Sequence, residues 1–133
     1  MLNFRKETEY SIQFLQYLAE CSKECGCRSL QKFSEQSKIS FYFMQKIARK
    51  LTKNNLITAK QGVNGGYVLT SIGKKITLFK LVEIMENGVS LLPCVSDIKI
   101  CKKNIKNCQV RTMMCNLNKK IVGVMEKIKV INI

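Results

Sequence analysis

The sequence predicts a mainly α-helical protein with a small β-hairpin wing: a winged helix-turn-helix followed by a long C-terminal dimerisation helix. Three observations predict it. Two helical patterns meet at a tight turn near Lys38, and the second is apolar on one face and basic on the other. A glycine-rich hairpin signal, "LITAKQGVNGGYVLT", follows directly. A late apolar stripe at helical spacing then runs almost to Ile133. At 133 residues and 46% apolar, the chain can bury one core. The expected organisation is a DNA-binding winged domain over 1–90, with a cysteine-bearing loop and dimerisation helix over 91–133 completing one compact unit.

From about Lys6 to Glu20, Tyr10, Ile12, Phe14, Leu15, Tyr17 and Leu18 surround much of a helix, which suits a buried central element. "RSLQKFSEQSKIS" reads as a short helix capped by Ser29, burying Leu30 and Phe33 and breaking at Ser37 and Lys38, with Ser40 capping the next. In that next helix Met44, Ile47, Ala48 and Leu51 fall at i, i+3, i+4 and i+7, leaving Tyr42, Gln45, Lys46, Arg49 and Lys53 opposite. A second helix built this way suits the major groove. Tyr42 and Gln45 would reach base edges, and Ser40, Lys46, Arg49, Lys50 and Lys53 would meet phosphates and the flank. Two β-rich runs, Leu56 to Lys60 and Tyr67 to Thr70, surround Gly62, Gly65 and Gly66. Lys60, Gln61 and Asn64 sit at that tip, placed to meet a sugar-phosphate backbone or minor groove. "ITLFKLVEIMENG" supplies a core helix capped by Thr77 and ended by Gly88.

Charge narrows the partner. Lys and Arg number 23 against 9 Asp and Glu, a net +14. Such an excess costs self-repulsion and points to a polyanion. Between Arg28 and Lys60 stand eight basic residues and only Glu35 in opposition, so phosphates are expected there, although a solvated basic face has the same composition. Double-stranded DNA is favoured over an acidic membrane surface, because no helix pairs a basic face with a bulky exposed apolar one. No apolar run reaches the ~20 residues that span a bilayer. The charged "MLNFRKETEY" is unlike a signal peptide, and a cytoplasmic protein is expected. The chain has no histidine and no glycine-rich phosphate loop. The commonest general base is therefore missing, and the chain does not read as an enzyme.

Seven cysteines remain. An odd number in a reducing compartment argues for metal ligands, reactive thiols or small core residues. Cys94, Cys101, Cys108 and Cys115 recur every seven residues. On one helix they would form a heptad seam spanning about 31 Å, and no single metal centre could hold all four. On a folded-back loop, which Pro93 and the low-helicity "KKNIKN" would suit, they could converge. Cys21, Cys25 and Cys27 read as half-buried thiols near the end of the first helix, with Gly26 terminating it; a second metal site or redox pair is the alternative.

"IS" at Ile39 and Ser40, "GGYVL" at Gly65 to Leu69, "ITLFKLVE" at Ile76 to Glu83, and three cysteines followed by Arg111 stand in an order that resembles bacterial regulators of the IscR, NsrR and CymR type. The resemblance covers nearly the whole chain. It implies a homodimeric repressor or activator of transcription, with Cys94, Cys101 and Cys108 as ligands of an iron-sulfur cluster, 2Fe-2S or 4Fe-4S. Six residues separate successive cysteines here, against five in the better-known members. The resemblance aligns Glu9 with an acidic residue that reaches across the dimer in some members, and Cys115 is the other candidate fourth ligand. Arg111, at the position where some relatives use a histidine, cannot coordinate a metal. The apolar residues Val110, Met113, Met114, Leu117, Ile121, Val124, Met125 and Ile128 mark the dimerisation helix, with a second protomer as their cover or, alternatively, the first helix of the same chain. Three other functions stay open: a cluster-free regulator answering to a protein partner or to thiol oxidation, a small metal-trafficking or electron-carrier protein, and a structural zinc site.

Overall fold

The computed structural model describes residues 3–20, 26–88 and 108–132. It is a winged helix-turn-helix. In chain order the elements are α1 (Lys6–Glu20), α2 (Leu30–Ser37), α3 (Phe41–Lys53), β1 (Ile57–Lys60), β2 (Gly66–Leu69), α4 (Ser71–Lys74), α5 (Leu78–Glu86) and α6 (Gln109–Lys127). The chain forms two compact units, Met1–Ile76 with Lys129–Ile133, and Thr77–Ile128.

In the first unit α2, α3 and α4 start at hydroxyl caps. Ser29, Ser40 and Thr70 accept hydrogen bonds from Lys32 N, Phe43 N and Gly73 N respectively, each cap worth about 1 kcal/mol. Lys38 ends α2 in the left-handed conformation at φ 60°, and the Ser34 hydroxyl donates to the Ile39 carbonyl, which fixes the turn into α3. The core gathers Phe14, Leu15, Met44, Ile47, Leu51, Leu56 and Ile57, all at most 1% exposed. Burying each large side chain is worth about 1.5–3 kcal/mol, so α3 is held on its apolar face alone. Tyr17 stacks against Phe14, Phe33 packs on it at a tilt, and Tyr67 meets its ring edge-on. The buried Ser11 on α1 donates its hydroxyl to Thr8 O at 2.7 Å, so it brings no unmet polar group into the core.

The hairpin is antiparallel, pairing Ile57 with Leu69 through to Lys60 with Gly66. Each strand is displaced by no more than one residue from the predicted runs. Arg28 forms an isolated antiparallel bridge on the outer edge of β2: Arg28 N donates to Tyr67 O at 2.9 Å and Tyr67 N to Arg28 O at 2.8 Å. Near the end of the chain, Val130 N donates to Ile76 O at 3.2 Å while the Gln16 amide donates to Val130 O at 3.2 Å, and Val130 and Ile131 are buried in this unit. The helical turn α4 is too short to leave a periodic signature in the sequence.

In the second unit α5, capped by Thr77, buries Leu81, Val82 and Met85 and packs with α6, which buries Met125. Gly88, expected as the terminator of α5, is one residue late. Asn87 takes the left-handed cap at φ 58°, since its short side chain tolerates that region, and Gly88 follows at φ 127°. The end of α1 expected at Gly26 cannot be compared with it, because the helix is described to Glu20 and residues 21–25 lie outside the described chain.

Three glycines are required by close packing. A Cβ on Gly65 would collide with the Lys60 carbonyl, one on Gly66 with the Arg28 carbonyl, and one on Gly73 with the Leu56 carbonyl, whereas Gly123 on α6 has open space. Gly66→Ala and Gly73→Ala should each destabilise the fold by about 1–3 kcal/mol. Gly123→Ala should be neutral or stabilise by up to about 1 kcal/mol. Urea denaturation of the three variants checks the contrast.

Candidate nucleic-acid interface and cysteine positions

Burial of Met44, Ile47, Ala48 and Leu51 leaves the opposite face of α3 no choice but solvent. Tyr42 is 73% exposed, Lys46 and Arg49 are exposed, and Gln45 and Lys50 are half-buried beside them. Phe43 is braced by Tyr10, ring edge to face at 5.7 Å, which fixes the first turn of the helix. Ser40 caps that turn as an acceptor, so its hydroxyl proton remains to donate outward. An amide, a phenol and cations on a helix held rigidly from behind can read base edges and grip phosphates.

The wing presents Lys60, Gln61 and Asn64, all exposed, around a turn closed by Gly65 N donating to Gly62 O at 2.9 Å. All ten expected interface residues, Ser40, Tyr42, Gln45, Lys46, Arg49, Lys50, Lys53, Lys60, Gln61 and Asn64, belong to one compact unit, on α3 and its N-cap or at the hairpin tip.

Arg28 departs from the basic stretch to which its charge assigned it. Its guanidinium lies 3.7 Å from the centre of the Tyr17 ring, donates to Tyr17 O at 2.7 Å and pairs with Glu20 at 3.6 Å. It serves the fold through stacking and backbone pairing, and its charge faces Glu20. Beside it the Cys27 thiol lies 2.9 Å from Asn64 O. The wing is thus tied along β2 by Arg28 and at its tip by Cys27. Neither tie had a signal in the sequence, since the partners lie some 40 residues apart and only the folded topology joins them. Phe41 and Val63, exposed at the start of α3 and the tip of the wing, also escaped the sequence patterns.

Of the cysteines expected as cluster ligands, Cys94 and Cys101 lie outside the described residues, as do Cys21 and Cys25. Cys108 is half-buried at the N-cap of α6 and makes no side-chain capping bond. The first N–H groups of a 19-residue helix open there, an end that favours negative charge. Cys115 stands within α6, seven residues on, about 10 Å along the helix axis. The early start of α6 therefore carries Cys115 away from Cys108. Glu9 is exposed on α1, and its carboxylate pairs with Lys6 Nζ at 3.1 Å; that hydrogen bond, with the carboxylate charge, raises the Lys6 pKa above its ordinary value. Among the described residues no three acidic or thiol side chains come together as a metal site.

The exposed face of α6 carries Val110, Met113, Leu117 and Val124, with Ile121 half-buried between them, and its C-cap Ile128 is exposed as well. No helix among the described residues is long and apolar enough to cross a membrane.

Known proteins share this architecture. CymR (YrzC), the global cysteine regulator of B. subtilis, superposes with a TM-score of 0.79 at 18% identity, covering 98% of this chain and 94% of its own. The T. potens IscR structure gives 0.73 at 19% identity, covering 97% and 83%. In sequence, the HTH-type transcriptional regulator NsrR of Oceanobacillus iheyensis is 28% identical over 93 residues, 70% of this chain and 63% of that protein. The chain spans about three-fifths of the length of the curated relatives it matches. The family model for Rrf2, an iron-dependent transcriptional regulator, matches residues 4–133. These are transcription regulators and not enzymes. A match running from ahead of α1 to the last residue of the chain does not rest on any one motif, and the chain belongs to the Rrf2 family of transcriptional regulators.

Proposed function

We propose that this regulator acts in the cytoplasm as a homodimer on a double-stranded DNA operator, and that an iron-sulfur cluster held by Cys94, Cys101 and Cys108 adjusts its affinity. The observation that carries the DNA reading is the exposed face of α3, Tyr42, Gln45, Lys46 and Arg49, standing in the same compact unit as a wing tipped by Lys60, Gln61 and Asn64. The α3 helix enters the major groove. Tyr42 and Gln45 read bases; Lys46, Arg49 and Lys50 hold phosphates; the wing follows the adjoining backbone.

The exposed apolar stripe of α6 supports the dimer, because four large apolar side chains left to water on one helix call for a cover, and a second copy offers the same stripe in return. Two α3 helices about 34 Å apart would then read a roughly palindromic site.

Cys108 fits a cluster ligand: a thiolate at a helix N-terminus faces open N–H groups that favour an anionic centre. Cys115, inside α6, fits less well, which favours Glu9 of the partner subunit as the fourth ligand. Glu9 would first release Lys6, at small cost for a pair so exposed to water. A bound cluster would supply a centre whose state changes on meeting oxygen, nitric oxide or iron shortage. Such a change would alter operator affinity.

A second reading, a cluster-free regulator of the same fold controlled by thiol oxidation, is supported by Cys27. Its thiol touches the wing at Asn64 O, so oxidation there would disturb a DNA-facing element directly.

Three tests follow from these assignments. Lys46→Ala and Arg49→Ala should each weaken duplex binding several-fold and lower the slope of log affinity against log salt by about one, read by fluorescence anisotropy. Protein kept free of oxygen should carry iron and sulfide; Cys108→Ser should lose both, Cys115→Ser should retain them, and a colourless, iron-free wild type would leave the thiol-oxidation reading in its place. Leu117→Glu with Val124→Glu should sediment as a monomer and bind the operator at least tenfold more weakly.

A further inference from the structure

Val63 is the most exposed large apolar side chain among the described residues, at 105% of its reference area, and it occupies the very tip of the wing. Single exposed apolar residues are ordinary on a protein surface. Three features set this one apart. The turn does not ask for it: Gly62 to Gly65 closes through one backbone hydrogen bond, and turns of this kind favour glycine, asparagine, aspartate or proline over a β-branched residue. The tip is held by the Arg28 pairing with Tyr67 and by the Cys27 thiol at Asn64 O, so Val63 is presented on a braced support. Its neighbours Lys60, Gln61 and Asn64 are all exposed, which encloses one apolar group within a cationic and amide rim.

We propose that Val63 is a specificity-determining contact to DNA, seated in the minor groove against the deoxyribose walls and reading groove shape. The proposal rests on the wing meeting DNA, as argued above, and adds the residue that reads it. The groove is about 6 Å wide in B-form DNA, room for an isopropyl group. Its walls are apolar sugar edges, and its floor carries an obstructing amino group only at G·C pairs. Lys60 and Asn64 reach the phosphate and sugar on the two sides. Valine is too short to intercalate, so the base step stays stacked and selectivity comes from groove width and from the absence of the guanine amino group.

The test uses the full-length protein and a duplex selected by it from a randomised pool, in three forms: A·T, inosine·C and G·C at the step beneath the wing. Val63→Ala removes no core contact and should fold normally. The wild type should bind the A·T and inosine·C duplexes alike and the G·C duplex more weakly. Val63→Ala should lose about three- to tenfold in affinity on the first two, with the salt slope unchanged because no charge is removed, and should show a smaller penalty for G·C. Lys60→Gln, measured alongside, should lower the salt slope by about one. If Lys60→Gln weakens binding while Val63→Ala matches the wild type on all three duplexes, the wing reading stands and the Val63 assignment is overturned. If neither variant changes affinity or slope, the wing does not meet DNA and both readings fall together.

Discussion

Everything on the functional surface depends on how α3 is anchored. Met44, Ile47, Ala48 and Leu51 are essentially inaccessible to water, packed into a core that also contains Phe14, Leu15, Leu56 and Ile57. The helix cannot roll about its axis without exposing that stripe, so the azimuth of Tyr42, Gln45, Lys46 and Arg49 is set by hydrophobic burial on the far side. The recognition face is made by what it does not bury. Its start is fixed as firmly, by the Ser40 cap, the Ser34 bond to Ile39 O and the Tyr10 ring against Phe43.

The wing needs a different solution, because a two-stranded hairpin has little stability of its own. Here Ile57 and Leu69 root the strands in the core, and the segment ahead of α2 provides the rest. Arg28 pairs with Tyr67 through the backbone and stacks on Tyr17 through its side chain, while Cys27 reaches Asn64. Cys27 and Arg28 are therefore mechanically part of the wing. A chemical event at Cys27 would act beside the wing tip through Asn64, which is the contact behind the proposed thiol signal.

Much of this was legible in the sequence, for local reasons. The serine and threonine caps, the i, i+3, i+4, i+7 stripe of α3, the glycines of the wing and the apolar run of α6 all act over a few residues, and local chemistry writes them into the chain. The resemblance to regulators of the IscR, NsrR and CymR type rested on the order of such local features, and the family match accords with it. What could not be read was long-range or decided by small differences. Arg28 looked like one more cation until Tyr17, Glu20 and Tyr67 surrounded it. Asn87 and Gly88 both suit a left-handed cap, and the helix took the first of them. The return of Val130 to Ile76 and Gln16 depends on tertiary placement that no period encodes. The start of α6 at Gln109 answers one part of the cysteine question, since it separates Cys115 from Cys108 along a rigid rod; Cys94 and Cys101 fall outside the described residues.

The central claim is that one surface, the solvent face of α3 with the wing tip, meets duplex DNA. Amide hydrogen exchange of the protein alone and with a duplex it has selected tests that surface directly. The account predicts that added protection concentrates at residues 40–46 and 60–65, with little change in α4. Protection absent from both segments, or a randomised pool from which no duplex is ever retained, would contradict it.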